Sequence, residues 1–110
     1  MSAHELDRTL AALADPHRRR VVDLLRERPR RAGELAEDAK IAFPLMSRHL
    51  KRLRESGLVE EDRDEFDSRV RIYRLRPQPM ADLKLWLEET ETLWSRQLAA
   101  FKAHVQKSRK

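Results

Sequence analysis

The chain has 110 residues, with 24 Lys+Arg against 19 Asp+Glu for a formal net charge of +5, 40% hydrophobic residues, two glycines and no cysteine. The missing cysteines exclude disulfides, thiolate metal sites and cysteine nucleophiles. The longest apolar runs are a few residues, against the roughly 20 that a membrane span needs, and MSAHELDRTL lacks the basic-then-apolar order of a signal peptide. The expectation is one cytoplasmic domain, residues 1–110, with no membrane role. Charged residues make up 39%, against about 25% in an ordinary domain, so the core is modest and a second copy would usefully cover further apolar surface.

In chain order, Ser2 and Glu5 fit a capping box ahead of a first helix whose apolar stripe is Leu6, Leu10 and Leu13. Asp15-Pro16, an N-cap followed by a proline tolerated at the first helical position, starts a second helix that runs through Val21, Val22, Leu24 and Leu25 to about Arg28. Pro29 stops it. A short third helix over Arg31 to Ala39 and a turn at Lys40-Ile41-Ala42 precede a fourth helix from Phe43-Pro44. That helix carries Met46, Leu50 and Leu53 inward and ends at Gly57. Helices joined by so brief a turn predict a helix-turn-helix over about 32–56.

Beyond Gly57 the periodicity changes. Leu58-Val59 and Val70-Arg71-Ile72-Tyr73-Arg74-Leu75 predict a two-stranded hairpin over about 58–76 with its tip among Asp64 to Ser68. Pro77 and Pro79 bracket the exit, and from Met80 on there is no proline or glycine. A long helix over about 80–107 is predicted, with Leu83, Leu87, Thr90, Trp94, Leu98, Phe101 and Val105 at spacings of three and four, joined by Trp86 and Leu93. The fold class is mainly α with a small β-hairpin, in the order α-α-α-α-β-β-α, which is that of a winged helix-turn-helix.

On the fourth helix, with Met46, Leu50 and Leu53 inward, a rotation of about 100° per residue places Pro44, Leu45, Arg48, Lys51, Arg52 and Glu55 on or near the opposite side. Residues 43 to 54 hold four Lys or Arg and no acid. Cations on such a face suit phosphates, and Arg48 suits a bidentate contact to a guanine edge. A charged face of this kind is also what any solvated helix presents. Arg63, Arg69 and Arg71 flank the hairpin tip, where a wing meets the DNA backbone or minor groove, while Asp64, Glu65 and Asp67 oppose phosphate there.

ELAEDAKIAFPLMSRHLKRLRESGLV, preceded by LADPHRRRVVDLLRERPR and followed by VRIYRL, resembles the ArsR/SmtB-type winged-helix repressors, particularly their cysteine-free branch with a tryptophan-containing C-terminal helix. The resemblance covers nearly the whole chain. It implies a homodimer that binds a short inverted-repeat operator in double-stranded DNA and represses transcription, often of its own operon. It also implies DNA contact at Ser47, Arg48 and His49; the helical wheel agrees for Arg48 and sets the other two on the flanks, suited to phosphate. Lys40, Ala42 and Phe43 stand where relatives usually have a glycine, a serine N-cap and a glutamine. Phe43 then either contacts a thymine methyl or turns inward.

Metal sensing, raised by the resemblance, finds little support. The third-helix stretch Gly33-Glu34-Leu35-Ala36-Glu37-Asp38 has no cysteine, and the last helix offers only His104, which His4 could approach across a dimer. No cofactor and no enzyme activity are expected: Ser47 and His49 are two apart on a helix and do not face each other, and no glycine-rich phosphate loop exists. The last helix outgrows the small domain, so Leu83, Trp86, Leu87, Leu93, Trp94, Leu98 and Phe101, with Leu6, Leu10 and Leu13 of the first helix, are the expected dimer interface. The other readings are a protein-interaction module, favoured by the acidic wing tip and unusual turn, and a metal- or ligand-responsive sensor. The effector and any accessory protein stay open.

Overall fold

In the computed structural model, which describes residues 3–108, the chain begins with α1 (Ala3–Leu13) and α2 (Pro16–Glu27). The corner between them is built by ADPHRR. The Asp15 carboxylate accepts the backbone N–H groups of His17 at 2.8 Å and Arg18 at 3.2 Å, and Pro16 occupies the first turn of α2. Burial pushes the Asp15 carboxyl up, but these two backbone donors together with the nearby His49 and Arg18 charges hold it below its ordinary value. Meanwhile the Arg18 guanidinium donates to the carbonyls of Ala12 (2.7 Å) and Ala11 (3.1 Å), and that of Arg19 to Leu13 (2.8 Å) and Ala14 (3.2 Å). Two cations thus satisfy the last carbonyls of α1 at its negative end. Ser2, the expected cap of α1, lies outside the described residues.

Next come β1 (Arg30–Arg31), α3 (Ala32–Ala39), α4 (Phe43–Glu55), β2 (Val59–Arg63), β3 (Arg71–Leu75) and α5 (Pro77–Ser108). The hairpin expected from the sequence is the larger part of a three-stranded antiparallel sheet in the order β1-β3-β2. Arg30 pairs with Tyr73 and Arg31 with Ile72, while Val59 to Arg63 run opposite Leu75 to Arg71. Two consecutive arginines carry no strand signal. Their pairing is decided by Arg30, only 7% exposed, whose guanidinium reaches Asp38 and Glu27 at 2.6 Å each and the Leu24 carbonyl at 3.2 Å. A buried cation is tolerated when its donors are all directed at acceptors.

Val21, Leu35, Met46, Leu50, Leu53 and Leu58 are fully buried where α2, α3, α4 and β2 meet, with Met46, Leu50 and Leu53 inward as the helical spacing requires. In α1 the inward residues are Thr9 and Ala12; Leu6 and Leu13 are half-buried and Leu10 is exposed. α5 starts at Pro77 rather than Met80. The first four N–H groups of a helix lack intrahelical acceptors, so the missing donors of Pro77 and Pro79 cost nothing there. At about 48 Å, α5 outruns the domain, and the molecule measures 73 × 28 × 22 Å.

Candidate nucleic-acid interface

The α3-turn-α4 unit holds α4 against the core by one face. In the turn, Lys40 takes the left-handed conformation (φ 57°, ψ 46°) usually left to glycine, and its N–H donates to the Glu37 carbonyl at 3.2 Å. Ile41 follows with its N–H on the Ala36 carbonyl at 3.0 Å and its side chain in the core. Ala42 supplies no side-chain cap to α4; its carbonyl takes the Met46 N–H at 2.9 Å, and Pro44 removes one of the unpaired donors. The turn keeps its geometry without the usual glycine and serine, at the cost of a strained lysine.

Ser47, Arg48, Lys51 and Arg52 are exposed on α4, and among the described residues Arg48, Lys51 and Arg52 have no ion-pair partner. Phe43 (56% exposed) and Leu45 (40%) stand at the start of the same helix, so the outward option for Phe43 is the one adopted. Arg52 borders a hollow of about 470 Å³ with Arg8 and Arg18. His49 departs from expectation. Instead of flanking the surface it is 7% exposed, its ring tilted against His17 with centroids 5.6 Å apart and its Nε2 buried without a hydrogen bond. Burial pulls its pKa below the ordinary histidine value, opposed by Asp15 and assisted by Arg18 and His17. It is a packing residue between α4 and the start of α2.

The wing is tied to α4 by a residue that sequence reasoning missed. Glu61 of β2 receives Arg54 of α4 at 2.8 Å and Arg71 of β3 at 2.7 Å, and accepts the Tyr73 hydroxyl at 3.2 Å. Burial and then Glu61 push the Tyr73 hydroxyl above its ordinary pKa. No spacing rule links positions 54 and 61, because the pairing depends on how β2 turns back along α4. The three expected wing arginines are gathered here but engaged: Arg63 donates to the Ser68 carbonyl at 3.0 Å, Arg69 chelates Asp67 at 3.1 and 3.2 Å, and Arg71 pairs with Glu61. Asp64 is likewise turned back, toward Arg31 at 3.3 Å. Of the acids that opposed phosphate contact, Asp67 is neutralised by Arg69 and Asp64 by Arg31, while Glu65 is exposed.

For metal, His4 lies in the first turn of α1 and His104 near the end of α5, both exposed. Among the described residues no three His, Cys, Asp or Glu groups come together as metal ligands. Nor is any described helix long and apolar enough to cross a membrane. Of the expected interface residues, Leu83 is corrected: it is 8% exposed, packed within its own chain where α5 meets α1. Trp86 is half-buried, whereas Leu87, Leu93, Trp94, Leu98 and Phe101 are exposed, together with Leu85, which lies off the anticipated stripe.

A helix-turn-helix with a free cationic helix face and an attached β-wing defines a winged-helix nucleic-acid-binding protein. Comparison with known proteins narrows this. Residues 15–61 match the model of the arsR family of bacterial regulatory proteins. The chain is 37% identical over 95 residues to the HTH-type transcriptional regulator Rv2034 of Mycobacterium tuberculosis, covering 86% of this chain and 83% of that one. Its fold matches an ArsR-like transcriptional regulator from Rhodococcus sp. RHA1 (TM-score 0.73, 30% identity, 89% and 90% of the chains). It also matches the homodimeric winged helix-turn-helix DNA-binding domain of a possible ArsR-family transcriptional regulator from Mycobacterium bovis (TM-score 0.64, 25% identity, 80% and 79%). The chain belongs to the ArsR family, and is a DNA-binding transcriptional regulator rather than an enzyme.

Proposed function

We propose that this regulator is a homodimeric repressor that binds a short inverted repeat in double-stranded DNA and occludes the promoter there, its own among the candidates. The observation that carries the reading is the outer face of α4: among the described residues Arg48, Lys51 and Arg52 are exposed and free of intramolecular ion pairs, whereas most of the other arginines are engaged. Lys51, Arg52 and Ser47 hold phosphates, Arg48 with Phe43 or Leu45 approaches base edges in the major groove, and Arg63, Arg69 and Arg71 steady the flank through the N–H groups that their internal acceptors leave free.

Dimerisation is supported by the apolar side chains that α5 leaves in water, Leu87, Leu93, Trp94, Leu98 and Phe101, beside exposed Leu10 of α1. A series of that kind marks an interaction surface. The homodimeric state of the Mycobacterium bovis relative favours a second copy as its occupant. Two-fold symmetry would then set two α4 helices about 34 Å apart, one turn of duplex, so that two weak half-sites act as one palindrome.

The test is selection of bound genomic fragments with the purified chain, followed by mobility shift at several salt concentrations. Recovery of an inverted repeat with half-sites one turn apart is the expected result. No shift at low salt removes the DNA reading. A long helix found only in complexes with a different protein removes the homodimer.

A further inference from the structure

The tip of the wing presents Phe66, the most exposed large hydrophobic side chain among the described residues at 93%. It does not sit on a loose loop. The Asp64 carboxylate accepts the backbone N–H groups of Phe66 at 2.7 Å and Asp67 at 3.2 Å. The Asp64 N–H donates to the Val70 carbonyl at 2.8 Å, and the Val70 N–H to the Asp67 carbonyl at 3.0 Å. Asp64 is pinned from outside by Arg31, and Asp67 is closed by Arg69. Both carboxyls are held below their ordinary pKa, Asp64 first by the Phe66 N–H and Asp67 first by the Arg69 guanidinium. Asp64 and Asp67 thus point back into the turn as its scaffold, which holds the phenyl ring outward beside the exposed Glu65.

Nothing within the described residues covers that ring. The Arg54, Glu61 and Arg71 network fastens the wing to α4. Proteins that reach the minor groove commonly insert an apolar wedge, phenylalanine among them, between base steps, with arginines on the groove walls.

We propose that Phe66 is such a wedge: it enters the minor groove beside each half-site and partly unstacks one base step, with Arg63 and Arg69 on the flanking phosphates. The proposal rests on the DNA-binding reading above and adds to it a sequence preference at a position that α4 does not touch. Flexible pyrimidine–purine steps, which unstack most easily, are the preferred steps there.

The experiment uses the full chain on a fragment recovered by the selection, with 2-aminopurine placed at steps outside the α4 half-sites, and compares wild type, Phe66→Ala and Phe66→Trp. Wild type brightens 2-aminopurine at one flanking step, and Phe66→Ala abolishes that signal. Phe66→Ala also weakens binding about tenfold, the scale of one base–aromatic contact. Because phenylalanine neutralises no phosphate, the salt slope is unchanged, and Phe66→Trp retains affinity and signal. Phe66→Ala with wild-type affinity and wild-type brightening overturns the wedge while leaving DNA binding intact. Unchanged DNA affinity together with loss of a protein partner overturns it in favour of a protein contact. A wild-type chain that shifts no duplex overturns the DNA reading and the wedge with it.

Discussion

Replacing His49 with leucine should stabilise the protein, although the position lies in the middle of α4, the helix proposed to read DNA. His49 is 7% exposed and its Nε2 has no partner. A buried polar group left unpaired costs about 1–3 kcal/mol, and leucine is also the better helix former by a few tenths. Loss of the tilted ring contact with His17 at 5.6 Å offsets part of this, leaving an expected gain of about 1–2 kcal/mol at neutral pH. The sign of the pH dependence is fixed by the lowered pKa. Unfolded, the imidazole titrates at about 6.5; folded, burial lowers that value. Between the two the unfolded chain binds a proton that the folded chain does not, so wild-type stability is full above the unfolded value and is lost as pH falls through the folded one. The gap between the His49→Leu variant and wild type should therefore widen on acidification. Urea unfolding of both proteins at a series of pH values from about 8 to 5 measures it. A leucine variant less stable than wild type at neutral pH, or a gap that does not change with pH, would refute the reasoning. Operator affinity at about pH 8, where histidine is neutral, should be unchanged.

Further outcomes follow from the same geometry. Arg48→Ala should cost about 1–3 kcal/mol of operator affinity and relax base preference, whereas Lys51→Ala should weaken all sequences alike and flatten the salt slope by about one unit; mobility shifts on operator and scrambled duplexes separate the two. Trp94, 61% exposed in the single chain, removes on the order of 100 Å² from water per copy if the partner covers it, or about 2.5 kcal/mol at 25 cal/mol per Å². Sedimentation equilibrium of Trp94→Ala should show a dimer weakened by at least tenfold, and an unchanged constant would place the interface elsewhere. Glu61→Gln leaves Arg54 and Arg71 without their carboxylate and should cost about 1 kcal/mol, read as faster amide exchange in β2 and β3. Glu65→Gln removes the tip carboxylate that is not tied back and should tighten duplex binding a few-fold at low salt, with no change in thermal unfolding.

Much of the architecture was legible because it is local. Asp15-Pro16, the i, i+4, i+7 series of Met46, Leu50 and Leu53, and Gly57, which takes φ 82°, each act within a few residues of themselves. The outward face of α4 could be read for the same reason: once three positions are inward, helical geometry leaves Arg48 and Lys51 outside. His49 escaped that reading because it lies at the border of the wheel, where the neighbouring element decides whether a side chain is covered. Here the N-terminus of α2 brings His17 against it. β1 and the Glu61 network escaped because they join residues distant in sequence, and nothing in a two-arginine strand or a lone glutamate announces its partner.

Phe66 could have been noticed as an aromatic in an acidic turn, but not that Asp64 and Asp67 would fold back and leave it outside. The sequence by itself determined where helices start and stop, which face of α4 carries charge, and that no thiolate chemistry is available, since these depend on residue type and short-range periodicity. The tertiary structure decided which charges are free. The 24 basic residues look interchangeable in the sequence, yet Arg30 is buried among acceptors, Arg18 and Arg19 close a helix end, and Arg71 is held by Glu61, while Arg48, Lys51 and Arg52 are exposed with no ion pair among the described residues. A salt link depends on a separation of a few ångströms, which only the folded chain sets.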